Sequence, residues 1–212
     1  MAEPPGRAEV VRTYDVSRET SARLDLLIAE LGRWQRVKNL VGPATLGEVW
    51  TRHIADSLQL LAIEPQALRW LDLGSGAGFP GLVIAIALSE RPGAEVHLVE
   101  SNSRKCAFLR HVGRATGAPA RIHERRLETA VEEFAGTVEI VTARALAPLA
   151  DLLGWTQALL KTGAVGLFPK GREVQAELTE AAESWRLETD LIPSRTDPDA
   201  RIVRVRSLHE RV

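Results

Sequence analysis

An acid followed by glycines at alternate positions, Asp72-Leu73-Gly74-Ser75-Gly76-Ala77-Gly78, is the most chemically informative run in this sequence. Glycine has no Cβ, so such a run can turn tightly and let a ligand approach the backbone. Phe79-Pro80-Gly81 follows, and a proline there suits the first position of a helix. A strand ending in this loop, with a helix after it, is where open α/β sheets bind ligands. Two ligand chemistries fit. A dinucleotide would lay its pyrophosphate on G-x-G-x-x-G, and that spacing does occur at Gly76, Gly78 and Gly81. In that register the glycines start two residues late relative to the strand, and Phe79-Pro80 crowds the phosphates. The other ligand is S-adenosylmethionine, which has no phosphate but carries an ammonium and a sulfonium. A carboxylate at Asp72 attracts those cations and would repel a pyrophosphate. The alternative for Asp72 is a buried acid that caps the loop. Glu100 ends the next strand and can accept from both ribose hydroxyls, which either cofactor would use.

Other polar residues admit two readings each. Arg52 and His53 share a helix with Asp56, either as a substrate-facing cluster or as an ordinary ion pair between Arg52 and Asp56 one turn apart. Between Asn102 and Arg126 stand Arg104, Lys105, Arg110, Arg114, Arg121, Arg125 and Arg126, against a single acid, Glu124. That stretch is either a solvated surface or an RNA contact through Arg104 and Lys105. Lys170 ends a strand at the ligand edge, as a phosphate contact or a solvated lysine. His97 within a strand, and Cys106 within a helix, read as structural.

The elements that must position these residues follow from periodicity. Leu24, Leu27, Ile28, Leu31 and Trp34 recur at helical spacing. Thr45-Leu46-Gly47-Glu48 has the form of a capping box and opens a second helix carrying Val49, Ile54, Leu58 and Leu61. From Arg69 the pattern alternates strand and helix. Strands are expected at 70–73, 95–100, 120–123, 139–142, 164–169, 186–192 and 201–206, and helices at 80–90, 103–116, 127–134, 147–161 and 172–184. Such alternation gives parallel strands with helices on both faces. The last two strands lack a full crossover helix, which predicts an antiparallel edge. The expected fold class is α/β: a doubly wound, Rossmann-like, seven-stranded class I S-adenosylmethionine-dependent methyltransferase sheet with an N-terminal helical extension. Residues 1–16 are expected to be loose, 17–64 to form the extension and 65–212 the methyltransferase domain, the two packing as one unit.

Composition agrees with a folded, soluble chain. Of the 212 residues, 45% are hydrophobic and 26% charged, with a net charge of −1. One cysteine rules out a disulfide framework and fits a reducing compartment. No signal-peptide pattern opens the sequence, and the longest aliphatic run falls far short of the ~20 residues of a membrane span. A cytoplasmic monomer without membrane contact is expected.

The loop and its surroundings resemble the bacterial small-subunit ribosomal RNA guanine-N7 methyltransferases, the RsmG or glucose-inhibited division protein B family. The resemblance runs from about Leu31 to Val205. It rests on Trp34 with Asn39-Leu40, Arg52-His53-Ile54-Ala55-Asp56-Ser57, Leu71 through Gly81, and Leu98-Val99-Glu100-Ser101. It continues through Lys105 to Arg110, Arg126-Leu127-Glu128, Thr142-Ala143-Arg144-Ala145 and Phe168-Pro169-Lys170-Gly171. It implies methylation of N7 of one guanine of 16S ribosomal RNA near the decoding centre, on the small subunit or an assembly intermediate. It further implies that Gly74 and Phe79 line the methionine part of the cofactor site, that Leu127 and Glu128 flank the adenine, and that Arg144 lies by the cofactor and target base. Arg144 and Lys170 are the candidate catalytic residues. The chain departs from the family pattern in Glu100, where Asp is common, and in Phe168-Pro169. Guanine N7 carries a lone pair and no proton at neutral pH, so the lack of a Cys/His or Ser/His/Asp set is consistent. Arg144 would serve better on O6 or a phosphate than on N7, which must stay free to react. The deep major groove of A-form RNA requires the guanine to be unpaired or flipped out. A nicotinamide-dependent oxidoreductase, a non-catalytic RNA-binding protein, and a methyltransferase for another RNA, a protein or a small molecule are the competing readings.

Overall fold

The computed structural model describes residues 4–35 and 48–211. Thr45, the Gly42-Pro43 interruption and Asn39-Leu40 lie outside the described residues. Seven strands form one sheet in the order β3-β2-β1-β4-β5-β7-β6. They are β1 (Arg69–Leu73), β2 (Glu95–Glu100), β3 (Ala120–Glu124), β4 (Ile140–Ala143), β5 (Val165–Lys170), β6 (Trp185–Pro193) and β7 (Arg201–Glu210). The first five run parallel; β7 pairs antiparallel with both β5 and β6. The expected antiparallel pair is present, with its second strand inserted inside the sheet.

Helices cover both faces, which is why β1 and β4 are almost wholly buried. One face packs against α2 (Arg18–Gln35), α3 (Ala55–Ile63), α4 (Gly81–Ala87) and α5 (Ser103–Thr116), through Leu24, Leu27, Leu31, Ile54, Leu82 and Phe108. The other packs against α6 (Leu149–Lys161) and α7 (Val174–Ser184), through Leu149, Leu152, Leu153, Leu159 and Phe168. Strand side chains alternate between faces. In β1, Leu71 and Leu73 point toward α6 while Trp70 points toward α4; Asp72 therefore shares the α4 side with Trp70. The chain leaves β1 toward β2 on one side and returns to β4 on the other, so the crevice opens at the carboxyl ends of β1 and β4.

α5 begins and ends where the sequence placed it. The Asn102 side chain accepts hydrogen bonds from the Arg104 and Lys105 amides at 3.0 and 3.2 Å, and Gly117 closes the helix with φ 65°. Two expectations need correction. The segment 127–134 is not an α-helix but two 3-10 turns, Leu127–Thr129 and Val131–Phe134. Its buried anchors Val131 and Phe134 stand three residues apart, the 3-10 repeat, and Gly136, with φ 74°, ends the run before an α-helix can extend. The N-terminal segment is not loose throughout, because Arg7–Thr13 forms helix α1. Its anchor is polar: the Arg7 guanidinium pairs with Asp25 at 2.7 Å and lies 5.5 Å from the Trp50 ring centroid. Only Val10 of α1 is buried, so no hydrophobic period announces this helix. No helix among the described residues is long and apolar enough to cross a membrane.

Candidate active site

The glycine loop is fastened to β2, since the Gly74 and Ser75 amides both donate to the Val99 carbonyl, at 2.9 and 3.1 Å. Gly74, Gly76 and Gly78 all have positive φ, at 67°, 56° and 93°. At Gly74 the requirement is double: a Cβ there would also lie 2.6 Å from Leu146 Cδ1. Glu100 braces the same loop. Its Oε2 accepts from the Gly76 amide at 2.9 Å and its Oε1 from the Asn102 amide at 2.8 Å. A carboxylate offers about four lone pairs, so ribose hydroxyls can still bond to it.

Asp72 is 1% exposed and does not line the cleft. Its Oδ2 accepts from the Gly81 amide at 3.1 Å, at the start of α4, and its Oδ1 is buried without a hydrogen-bond partner among the described residues. The acid thus caps the loop from behind, and the expectation that it faces the cofactor's cations directly is corrected. The alternation of β1 explains this, since position 72 is turned to the α4 side. Burial raises its carboxyl pKa to about 7; the nearby Ser75 hydroxyl, the Gly81 amide and the Arg144 charge pull the other way. The folded pKa lies above the unfolded one, so the fold binds this proton more tightly. Stability from this group therefore falls as pH rises from about 4 to about 7, by an amount of order 4 kcal/mol. Asp72→Asn, which cannot ionise, is expected to gain stability over the parent as pH rises from 5 to 8, read by urea unfolding at each pH. A difference that stays constant with pH would show that Asp72 is not protonated in the fold.

In front of the loop lies an open cleft of about 1120 Å³, lined among others by Arg52, His53, Asp56, Gly74, Gly76, Phe79, Lys105, Arg144 and Lys170. Arg144 directly follows β4 and reaches across to the N-terminal extension. Its NH1 group donates to Asp56 Oδ2 at 3.2 Å and its NH2 group bonds to His53 Nδ1 at 2.9 Å. Its Cζ lies 5.7 Å from the Phe79 ring centroid, and the His53 ring stacks on Phe79 at 4.8 Å and 24°. His53 sits in a π-helical turn, Trp50–Ile54, a distortion that often marks functional positions. Ala145, next to Arg144, has φ 51°, a strained value for a residue with a Cβ. Of the two readings of this helix, the Arg52–Asp56 pair does not form: Asp56 takes Arg144 instead, and Arg52 is exposed at the cleft.

Asp56 also receives the Thr196 hydroxyl and, at 3.2 Å, Gln59 Nε2; Gln59 Oε1 accepts from the Arg195 amide at 3.0 Å. Thr196 and Gln59 went unread because neither carries a motif and the contacts that bring them together, Thr196 with Asp56 and Arg195 with Gln59, span more than a hundred residues. Lys170 also departs from expectation. Its side chain is 8% exposed, with Nζ donating to the Ala147 carbonyl at 2.7 Å and pairing with Glu177 at 2.6 Å. Glu177 in turn accepts from the Leu149 amide at 2.7 Å. The ammonium therefore ties β5, α6 and α7 together and is not free for a phosphate.

Leu127 is half-buried and Glu128 exposed, both in the 3-10 turn past β3, outside the cleft lining. Arg104 is exposed outside the lining, whereas Lys105 reaches the cleft. The basic stretch is partly neutralised, because Arg110 pairs with Glu124 at 2.7 Å, Arg125 with Glu133 at 2.8 Å, and Arg121 with Glu95. Cys106 is buried and free, and His97 bonds His123 at 2.9 Å beside Phe134, both away from the cleft.

The glycine loop with Glu100 at the end of β2 suits a nucleoside, and Phe79, which lines the cleft just past the loop, crowds the room a pyrophosphate would need. Solved structures with this fold include the Bacillus cereus O-methyltransferase in complex with SAH, at TM-score 0.58 and 14% identity, covering 85% of this chain and 90% of that one. A cofactor-bound structure from MTB aligns at TM-score 0.60 and 15% identity, over 97% of this chain and 98% of its own. The fold is that of the class I methyltransferases. The family model described as rRNA small subunit methyltransferase G matches residues 20–197. A curated relative of that name from Methylobacterium radiotolerans is 62% identical over 96% of each chain. Another, from Bradyrhizobium sp. BTAi1, is 53% identical over 94% of this chain and 90% of its own. The chain belongs to the rRNA small subunit methyltransferase G family.

Proposed function

We propose that the protein methylates N7 of a guanine in 16S ribosomal RNA near the decoding centre, acting in the cytoplasm as a monomer on the small subunit or an assembly intermediate. The observation that carries this reading is Arg144, held across the cleft from the glycine loop, with the two proton acceptors beside it, Asp56 and His53, both already engaged by its guanidinium. His53, the one imidazole in the cleft lining among the described residues, is held to a pKa of about 4 by burial and then by the Arg144 and Arg52 charges, and it already accepts from Arg144. N7 needs no base, because its lone pair is free at neutral pH.

When bound, the cofactor supplies an electrophilic methyl group. The chain's own residues orient the two partners. Gly74 and Gly76 bring backbone close to the methionine portion, Glu100 takes the ribose, and Leu127 and Glu128 flank the adenine. Phe79 supplies an apolar wall. Arg144 offers its remaining N–H groups to guanine O6 or a flanking phosphate and leaves N7 open. Arg52 and Lys105, at the cleft, take up RNA phosphates. Orientation of this kind can supply ~7–11 kcal/mol of a barrier in favourable cases.

The test is methyl transfer from labelled S-adenosylmethionine to small subunits lacking the modification, followed by nucleoside analysis. Labelled 7-methylguanosine is expected; label in another nucleoside, or in none while cofactor still binds, would overturn the assignment. Gly74→Val should weaken cofactor binding by at least about a hundredfold, because a branched side chain enters both a positive-φ position and the Leu146 contact. Calorimetry reads this directly, and unchanged affinity would remove Gly74 from the site.

A further inference from the structure

We infer that His53 is a positioning residue for methyl transfer, which orients Arg144 by accepting a hydrogen bond from its guanidinium at Nδ1. This rests on the reading that Arg144 meets the target base. The inference starts from proton bookkeeping. A guanidinium only donates, so the Nδ1 atom 2.9 Å from Arg144 must carry a lone pair. In a neutral ring the proton then sits on Nε2, and that atom is buried with no hydrogen-bond partner among the described residues. An unmet buried donor is a cost that most structures avoid. Here the ring accepts that cost at Nε2 while Nδ1 is engaged.

Three restraints fix the imidazole. The π-helical turn sets its backbone, the Ser57 hydroxyl donates to the His53 carbonyl at 2.7 Å, and the ring face lies on Phe79. Asp56 alone could hold the guanidinium through one nitrogen and leave it free to swivel. With His53 on the second nitrogen, the plane of Arg144 is defined. The role differs from an RNA contact: His53 acts through Arg144 and need not touch the substrate.

His53→Phe keeps an aromatic ring on Phe79 but offers no acceptor. Its kcat is expected to fall about ten- to a hundredfold, the scale of a small misplacement of a reacting group, with KM for S-adenosylmethionine within about twofold of the parent. The double variant His53→Phe/Arg144→Ala should be no slower than Arg144→Ala alone, since both changes remove one device. Additive losses, or parental turnover in His53→Phe, would overturn the inference. Nitrogen NMR of the folded parent supplies a readout that does not depend on a variant folding. It should show His53 with Nδ1 unprotonated and Nε2 protonated at neutral pH, and Arg144→Ala should release that single tautomer. A protonated Nδ1 in the parent would sink the proposal. Parental turnover in Arg144→Ala would instead count against the proposed function, which keeps the two failures apart.

Discussion

Methyl transfer by Arg144→Ala is expected to fall about a hundred- to a thousandfold, with cofactor affinity changed far less. The guanidinium stands across the cleft from the loop and is fixed at both terminal nitrogens, so its loss removes a preorganised donor, not a flexible one. The fold should survive. Breaking a fully buried pair costs about 3–5 kcal/mol, but these side chains are 21% and 26% exposed, so solvent screening brings the figure to about 1–2 kcal/mol. Asp56 keeps Thr196 and Gln59 as donors. Arg144→Lys is expected to rescue little, because one ammonium cannot reproduce the planar fork that meets Asp56 and His53 together. Turnover on unmodified subunits and a thermal melt check both parts. Parental turnover in the alanine variant would remove Arg144 from the mechanism.

Gly81→Ala should be the most damaging single methyl group in the loop. A Cβ at position 81 would lie 2.5 Å from Asp72 Oδ2 and 2.6 Å from Asp72 Cβ. Neither atom can withdraw, since Asp72 is a β1 residue and its Oδ2 holds the Gly81 amide. The first turn of α4 must shift, and the glycine loop with it. The expected loss is about 3 kcal/mol of stability together with at least a tenfold weaker affinity for S-adenosylmethionine. Denaturant unfolding and calorimetry measure the two effects. Parental values in both would show that Asp72 and Gly81 do not clamp the loop.

The sheet and most helices were legible because their causes are local. Strand–helix alternation after Arg69, with a helix expected at 103–116, is a short-range signal, and the structure follows it. The glycine loop and Glu100 were legible for the same reason. The failures share a cause too. Helix α1 is held by an arginine reaching Asp25 and Trp50, and Lys170 is consumed by Glu177 and the Ala147 carbonyl. A sequence shows that a charge exists, but not whether the fold spends it on itself. The direction of Asp72 was within reach, since strand alternation sets it opposite to Leu71 and Leu73. The partner of Asp56 was not, because Arg144 lies 88 residues away.

The place of β7 in the sheet bears on how the protein is made. Of the seven strands, Arg201–Glu210 is the last to be translated, yet it is the neighbour of both β5 and β6. Until it emerges from the ribosome, the nascent chain carries β5 as a raw edge, with Leu167 and Phe168 lacking their partners Arg204 and Val203. Thr196, which steadies Asp56 beneath Arg144, arrives only just before. Vectorial synthesis therefore leaves both the sheet and the support of the reactive arginine unfinished until residues 196–210 have emerged, so a nascent chain stalled a dozen residues short of Glu210 should be trapped with an open seam through its interior.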